Sequence, residues 1–329
     1  MISWRSLGLV CLAGAALAAC GDRQSVLNPK SPEALQLTQL TWLLFAAGTA
    51  ILALVVIATA VAIHGPDRWR AFLGSDRTVT WAGVVFPVIT LTLLLSYGLW
   101  LTRANAIALD DPDALRVTVV GEQWWWRVQY QHKGRAVDTA NEIRIPASRP
   151  VIFTLASADV IHSFWVPNLG GKVDMIPGRT TRLRLRADQP GVFRGQCAEY
   201  CGGPHALMAF EVVALAEPDF QAWLETLGKL AAEPASAEAL RGRDLFLSAG
   251  CGGCHTVLGT SAQGRVGPDL THLGSRRSVG LDTLPMTQAN IARFILDGQH
   301  IKPGNLMPPF RIFSVDDLDA LAAYLAGLR

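Results

Sequence analysis

Two short stretches concentrate the residues able to do metal chemistry. The first is Cys197-Ala198-Glu199-Tyr200-Cys201-Gly202-Gly203-Pro204-His205-Ala206-Leu207-Met208. Cysteines spaced C-x-x-x-C on one loop can both turn inward, and two thiolates so placed can bridge a pair of metal ions. His205 adds an imidazole and Met208 a weak thioether, a soft donor set that suits copper and not magnesium or calcium. A second imidazole must come from elsewhere, and His162 in Asp159-Val160-Ile161-His162-Ser163-Phe164-Trp165 is best placed. Zinc could take two cysteines and two histidines tetrahedrally, but the added methionine favours copper.

The second stretch is Cys251-Gly252-Gly253-Cys254-His255. The C-x-x-C-H spacing lets Cys251 and Cys254 form thioethers to the vinyl groups of a c-type haem while His255 reaches the iron. A thioredoxin-like redox pair would not need the histidine and should sit in a βαβ setting, whereas the surroundings here read as helical. A structural disulfide within either pair is the plain alternative, and the flanking histidines argue against it. The sixth iron ligand should be a methionine late in the domain. Met307, on the irregular Asn305-Leu306-Met307-Pro308-Pro309-Phe310 stretch, fits better than Met286, which precedes a helix near Thr287 and reads as a packing residue. His272 and His300 read as surface or haem-edge histidines, and His64 and His132 have no partner motif.

These sites need elements to hold them. Residues 1–20 read as a secretory leader: Arg5 supplies positive charge, and Leu7 to Ala19 is an apolar run too short to span a bilayer. Its end, Leu17-Ala18-Ala19-Cys20, resembles a bacterial lipobox, in which the cysteine is lipidated; a simple cleavage site beside an incidental cysteine is the alternative. A helical hairpin is expected over 38–104, from two nearly uncharged runs at Leu40–Ile63 and Trp81–Leu101, each near the ~20 residues a span requires. Arg68, Arg70 and Arg77 between the runs, against Asp110, Asp111 and Asp113 after them, place that loop in the cytoplasm and both chain ends outside.

From 115 to 230 the pattern becomes short alternating runs separated by Gly, Pro and Asp turns. Strands are expected around 116–120, 142–146, 151–155 and 181–186, giving a sandwich or barrel closed by a helix at Pro218 to Leu230. Small polar residues at 231–236 read as a linker. A helical domain then fills 237–329. It opens with a helix at Ser236–Ala249 and ends with one starting at Ser314, where Asp317 completes a capping pattern and Leu318, Leu321, Ala322 and Leu325 share a face.

The chain resembles subunit II of haem–copper cytochrome c oxidases. The resemblance is carried by Gly121-Glu122-Gln123-Trp124-Trp125-Trp126, by His162-Ser163-Phe164-Trp165-Val166-Pro167, by Asp174-Met175-Ile176-Pro177-Gly178-Arg179, and by the loop ending at Met208. It implies a multi-domain protein: a transmembrane helical hairpin, an all-β cupredoxin-like domain, and an all-α domain. The last resembles class I cytochrome c through Cys251–His255 and Gly267-Pro268-Asp269-Leu270. The resemblance also implies a dinuclear copper A centre held by His162, Cys197, Cys201, His205, Met208 and the backbone carbonyl of Glu199. Trp124 would be the surface aromatic through which electrons reach the copper. Asp174 would face the catalytic subunit, and the Glu199 carboxylate would help hold a magnesium ion at that interface. One departure is visible. The family places a glutamate seven residues before the proline of the second span, and this chain has Thr80 before Pro87, which puts proton uptake through this subunit in doubt.

The fused layout resembles caa-type, proton-translocating oxidases of the bacterial inner membrane, with copper and haem on the periplasmic side. It implies a relay from an external cytochrome c or bc-type complex, through haem and copper, to catalytic subunit I and its companion subunits. Oxygen reduction falls to that partner, since sites filled by protein ligands leave no open coordination position. A formal charge of +2 and the lack of a basic stripe exclude a nucleic-acid partner, while an apolar fraction of 50% concentrated before residue 105 demands membrane lipid. Three rivals stand beside this reading. A copper-A-type nitric oxide reductase subunit would share every ligand. A copper-delivery protein would have little use for His162, Met208 and a haem domain together. A quinol-oxidase subunit should have lost the copper ligands.

Overall fold

The computed structural model describes residues 24–329, so the leader at 1–20, with Cys20, lies outside the described residues. The contacts divide the chain into a membrane-type unit, Leu35–Asp113, and a unit formed by the residues up to Ala34 together with Ala114–Arg329. Helix α1 spans Pro32–His64. It starts ahead of the apolar run because Ser31 caps it, its Oγ accepting from the Ala34 amide at 2.9 Å, with Pro32 at the first helical position. Two short helices, α2 (Asp67–Leu73) and α3 (Asp76–Thr80), follow. A π-helical turn at Trp81–Val85 then leads into α4, Phe86–Ile107. That wider turn sits just ahead of Pro87, which has no amide to give the helix, the usual setting for such a break. Both spans are long and apolar, with mean hydropathies of 2.5 and 2.0 and none of either apolar window buried in the protein.

The β domain is a sandwich of two five-stranded sheets. One has the order β3-β2-β1-β5-β8 and the other β4-β10-β9-β6-β7. The strands are β1 Leu115–Glu122, β2 Trp125–His132, β3 Arg135–Ala140, β4 Glu142–Pro146 and β5 Val151–Ser157. The rest are β6 His162–Trp165, β7 Val173–Met175, β8 Thr181–Leu185, β9 Gly191–Cys197 and β10 Ala209–Leu215. The alternation read in the sequence is real: Val117 and Val119 of β1 point inward between half-exposed neighbours. Between the sheets Trp126, Phe164 and Phe210 form a tight aromatic cluster, with Trp126 and Phe210 centroids 4.9 Å apart. Helix α5, Glu217–Leu227, closes one end through Phe220, Leu224 and Leu227.

The C-terminal domain packs α6 (Ala237–Ser248) across α8 (Val315–Gly327), with α7 (Gln288–Ile301) against α8. Each begins at a capping hydroxyl: Ser236, Thr287 and Ser314 accept from the amides of Ala239, Asn290 and Asp317. The predicted face Leu318, Leu321, Ala322 and Leu325 of α8 is buried, with the rings of Phe246 of α6 and Tyr324 tilted at 60° to one another. Helix α7 stops at Lys302 because Pro303 follows, and the residue before a proline is pushed out of helical backbone.

Candidate metal centres

The candidate metal-binding side chains converge because the sheet brings two distant segments side by side. His162 opens β6 and Cys197 ends β9, and these strands pair antiparallel with Phe164 opposite Cys197. The loop from Cys197 is closed by its own amide donating to the Met208 carbonyl at 2.9 Å, which returns the chain to β10. Cys201, His205 and Met208 therefore project into one space. Cys197 Sγ lies 3.8 Å from Cys201 Sγ, 3.8 Å from His162 Nδ1 and 3.1 Å from the Glu199 carbonyl oxygen. Cys201 Sγ lies 3.4 Å from His205 Nδ1 and 3.7 Å from Met208 Sδ.

This arrangement fits a thiolate-bridged metal pair. Both cysteines are free, and 3.8 Å is far beyond a disulfide bond of about 2.05 Å. It leaves room for an ion on either side of the sulfur–sulfur line at ordinary metal–thiolate distances of about 2.3 Å. Among the described residues, His162, Cys197 and Cys201 form the one group of three or more such side chains gathered closely enough to hold a metal, and all three are buried. Cys197 is held well below the usual thiol range by its hydrogen bond with Cys201, against the effect of burial and with help from His162. Cys201 is pushed up by that same hydrogen bond and by burial. Burial alone would lower His162, but Cys197 and Asp159 outweigh it and raise it.

The sequence reading gave Asp159 no role, yet its Oδ1 lies 2.7 Å from His162 Nε2. With that nitrogen donating to the carboxylate, the lone pair at Nδ1 faces the sulfurs, the orientation a metal-bound imidazole needs. Asp159 is itself fixed by the amides of Val160 and Gln123, each at 2.6 Å. Asp159→Asn is therefore expected to weaken copper retention by about 10–100-fold, the range for losing such a supporting group, as measured by competition with a copper chelator. An acid three residues before a ligand histidine was the available signal.

Trp124 is half-buried, while Trp125 and Trp126 are core residues. Its indole Nε1–H donates to the Cys201 carbonyl at 2.9 Å, and the Gln123 amide group donates to the same oxygen at 2.8 Å. Asp174 is exposed, with Lys172 Nζ at 3.8 Å. Neither Asp174 nor the Glu199 carboxylate belongs to a metal-holding cluster among the described residues.

At the haem motif, Cys251 and Cys254 are free and sit on a short turn, Cys251–Gly253. His255 Nδ1 lies 2.8 Å from the Pro268 carbonyl, which fixes it as the donor and leaves Nε2 for a metal. Burial lowers the His255 pKa and keeps the ring neutral, as a ligand must be. A Cβ at Gly267 would lie 2.5 Å from His255 Cε1, so the loop beside the ring must carry glycine. Leu270, Met307 and Phe310 pack on the domain core but remain only partly buried, as walls for a flat apolar group would. The residues thus fit a covalent haem. Met286 is also partly buried on this core, and His300 is exposed. His272 departs from the surface reading: it is 8% exposed.

The two domains meet across a dense polar seam. Arg277 of the haem domain pairs with Glu211 at 3.0 Å, and its amide donates to Glu142 at 2.8 Å. Arg194 pairs with Asp282 and Arg265 with Asp138, both at 3.0 Å, while Arg144 donates to the Ser275 carbonyl. Leu281 joins the core of the β domain. Lys302 is 2% exposed and donates from Nζ to the Trp124 carbonyl at 2.6 Å; burial pulls its pKa down to about 7.

Residues 131–215 match the profile of the periplasmic domain of cytochrome c oxidase subunit II, and residues 239–329 match cytochrome c. Cytochrome c oxidase subunit 2 of Alkalihalophilus pseudofirmus is 36% identical over 325 residues, covering 94% of this chain and 92% of that protein. Subunit 2 from Bacillus sp. strain PS3 is 31% identical, over 74% of this chain and 72% of its own length. The solved periplasmic domain of subunit II of Bradyrhizobium japonicum cytochrome oxidase is 31% identical, with a TM-score of 0.34, covering 36% of this chain and 95% of that domain. A cysteine-rich loop in a β sandwich and a C-x-x-C-H domain fused behind it thus find their match along nearly the whole length of a relative, and the chain belongs to the cytochrome c oxidase subunit 2 family, in the form that carries a C-terminal cytochrome c domain.

Proposed function

We propose that this subunit feeds electrons to a haem–copper catalytic subunit, taking them up at a haem held by Cys251, Cys254 and His255, with Met307 as the sixth ligand. Its copper A centre would be held by His162, Cys197, Cys201, His205, Met208 and the Glu199 carbonyl. When bound, the haem and the copper pair supply one-electron redox chemistry, with little change of geometry at the thiolate-bridged centre. The protein holds the donors in place before metal arrives: the β9–β10 loop fixes the two sulfurs, Asp159 orients His162, and Pro268 orients His255. Burial of Cys197 and Cys201 keeps water from the sulfurs.

The observation that carries this reading is the gathering of two thiols, two imidazole Nδ1 atoms, a thioether and a carbonyl around Cys197 and Cys201. Metal and haem analysis with electron paramagnetic resonance of the oxidised protein tests it. Two coppers and one c-type haem per chain, with a delocalised copper signal, are expected; one copper with a mononuclear spectrum overturns the dinuclear assignment.

Trp124 is the conduit between the haem domain and the copper loop in this reading, supported by its hydrogen bond to the Cys201 carbonyl. Trp124→Phe keeps an aromatic ring but loses that bond. Copper reduction is expected to slow by about tenfold or more with an unchanged copper spectrum, as stopped-flow absorbance would show. Asp174 and the Glu199 carboxylate are assigned to the catalytic-subunit interface and its magnesium ion, and Cys20 to lipid attachment. The copper and haem domains belong on the periplasmic side of a bacterial inner membrane, with a cytochrome c or bc-type complex as donor. Thr80 removes the acid at which the family's proton path would begin.

A further inference from the structure

Lysine is almost never fully buried without a partner, because a desolvated ammonium is costly. Lys302 is 2% exposed, and among the described residues its Nζ has one hydrogen-bond acceptor, the Trp124 carbonyl at 2.6 Å. It comes from the haem domain, and its acceptor belongs to the copper domain. The loop that follows lies on the copper loop itself: a Cβ at Gly304 would sit 3.2 Å from Pro204 Cδ and 3.9 Å from Gly203 Cα. Gly203 in turn lies against the Trp124 indole, where a Cβ would be 3.0 Å from Cζ2. Lys302, Gly304, Trp124 and the Cys201–Pro204 turn are thus stacked in one place.

The same loop is tied internally to Met307. The Asn305 side-chain amide donates to the carbonyls of Gly298 and Lys302 at 2.9 and 2.8 Å, and its Oδ1 accepts from the Met307 amide at 2.9 Å. Gln299 Nε2 donates to the Met307 carbonyl at 3.0 Å and also to that of Asn305. A displacement of Lys302 is therefore carried to Met307 through Asn305, whose side chain bonds both the Lys302 carbonyl and the Met307 amide. From the other domain, the Trp124 indole carries the contact to Cys201.

We propose that Lys302 is the positioning residue for electron transfer between the two domains: its hydrogen bond to the Trp124 carbonyl holds the loop that carries Met307 against the copper loop. This rests on the copper-A and haem reading above. The arginine pairs of the seam fix the domains broadly, and Lys302 fixes the segment nearest the ligands. Both protonation states of the amine keep an N–H to donate.

The test uses the assembled oxidase with both metals loaded. Amine labelling of the wild-type protein, read by mass spectrometry, should spare Lys302 while modifying the exposed Lys133. Lys302→Met should slow haem-to-copper transfer, followed after flash reduction of the haem, by about tenfold or more, as misplacement of reacting centres does. The copper resonance and haem absorbance should be unchanged. Lys302→Arg, which keeps a donor, should recover most of that rate. Labelling of Lys302 as readily as Lys133, wild-type transfer in Lys302→Met, or equal slowing in both variants would each overturn the proposal. Absence of the copper or haem signal from the wild-type protein would instead overturn the reading beneath it.

Discussion

Replacing Cys201 with serine is expected to abolish the delocalised copper resonance and to lower oxidase turnover by more than about 100-fold, while the haem spectrum stays intact. The magnitude follows from position: loss of an outer supporting group costs about 10–100-fold, and Cys201 stands inside that shell. Its sulfur is the common neighbour of Cys197, His205 and Met208, at 3.8, 3.4 and 3.7 Å. A serine hydroxyl is harder, shorter and un-ionised at neutral pH, so it cannot take the place of a bridging thiolate. The backbone should tolerate the exchange. The oxygen that accepts from Trp124 and Gln123 belongs to the Cys201 main chain and persists in the variant. The β9–β10 loop is closed by the Cys197 amide and the Met208 carbonyl, which also remain. A Cys201→Ser protein that keeps two coppers and the delocalised signal would refute the bridging role.

The legible parts of this molecule were those where chemistry or periodicity is local. C-x-x-x-C, C-x-x-C-H and the capping serines before α6 and α8 are written in consecutive residues; the structure brings the two sulfurs of the first to 3.8 Å and uses both serines as caps. The strands found in the sequence, β1, β4, β5 and β8, are those that show short alternating or apolar runs. Strand β2 escaped notice because Trp125 and Trp126 are both buried, which breaks the alternation, and β10 because almost every residue in it is inward. What could not be read was pairing at a distance. His162 stands out in the sequence only as a candidate second imidazole, and what brings it beside Cys197 is the register of β6 on β9. Nothing near Lys302 in the sequence announces that its ammonium enters the other domain, because the acceptor is a backbone carbonyl 178 positions earlier. Glu142 and Glu211 are both buried and answered by Arg277 across the seam, a pairing that no local pattern announces.

The haem domain carries a second large expected effect, on stability. At the crossing of α6 and α8, a Cβ added to Gly242 would lie 1.9 Å from the Ala320 carbonyl oxygen and 2.9 Å from Tyr324 Cβ. The obstacle is helix backbone in a buried position, so no side-chain rotation relieves it and the helices must separate. Overpacking of this kind costs about 1–3 kcal/mol or more, which exceeds the ~1 kcal/mol that alanine gains over glycine in a helix. Separation would also loosen the Phe246–Tyr324 contact, whose ring centroids are 5.8 Å apart. With about 4–8 °C per kcal/mol for a domain of this size, a net loss near 2 kcal/mol lowers the melting temperature of the haem domain by roughly 8–16 °C. Gly327→Ala supplies the control, because nothing lies within 4 Å of a Cβ at that helix end. It should melt at or slightly above the wild-type temperature. Thermal melts followed at the haem band, beside the copper resonance of the same samples, separate the two domains. Equal melting temperatures for Gly242→Ala and Gly327→Ala would mean that the α6–α8 crossing does not limit this domain's stability.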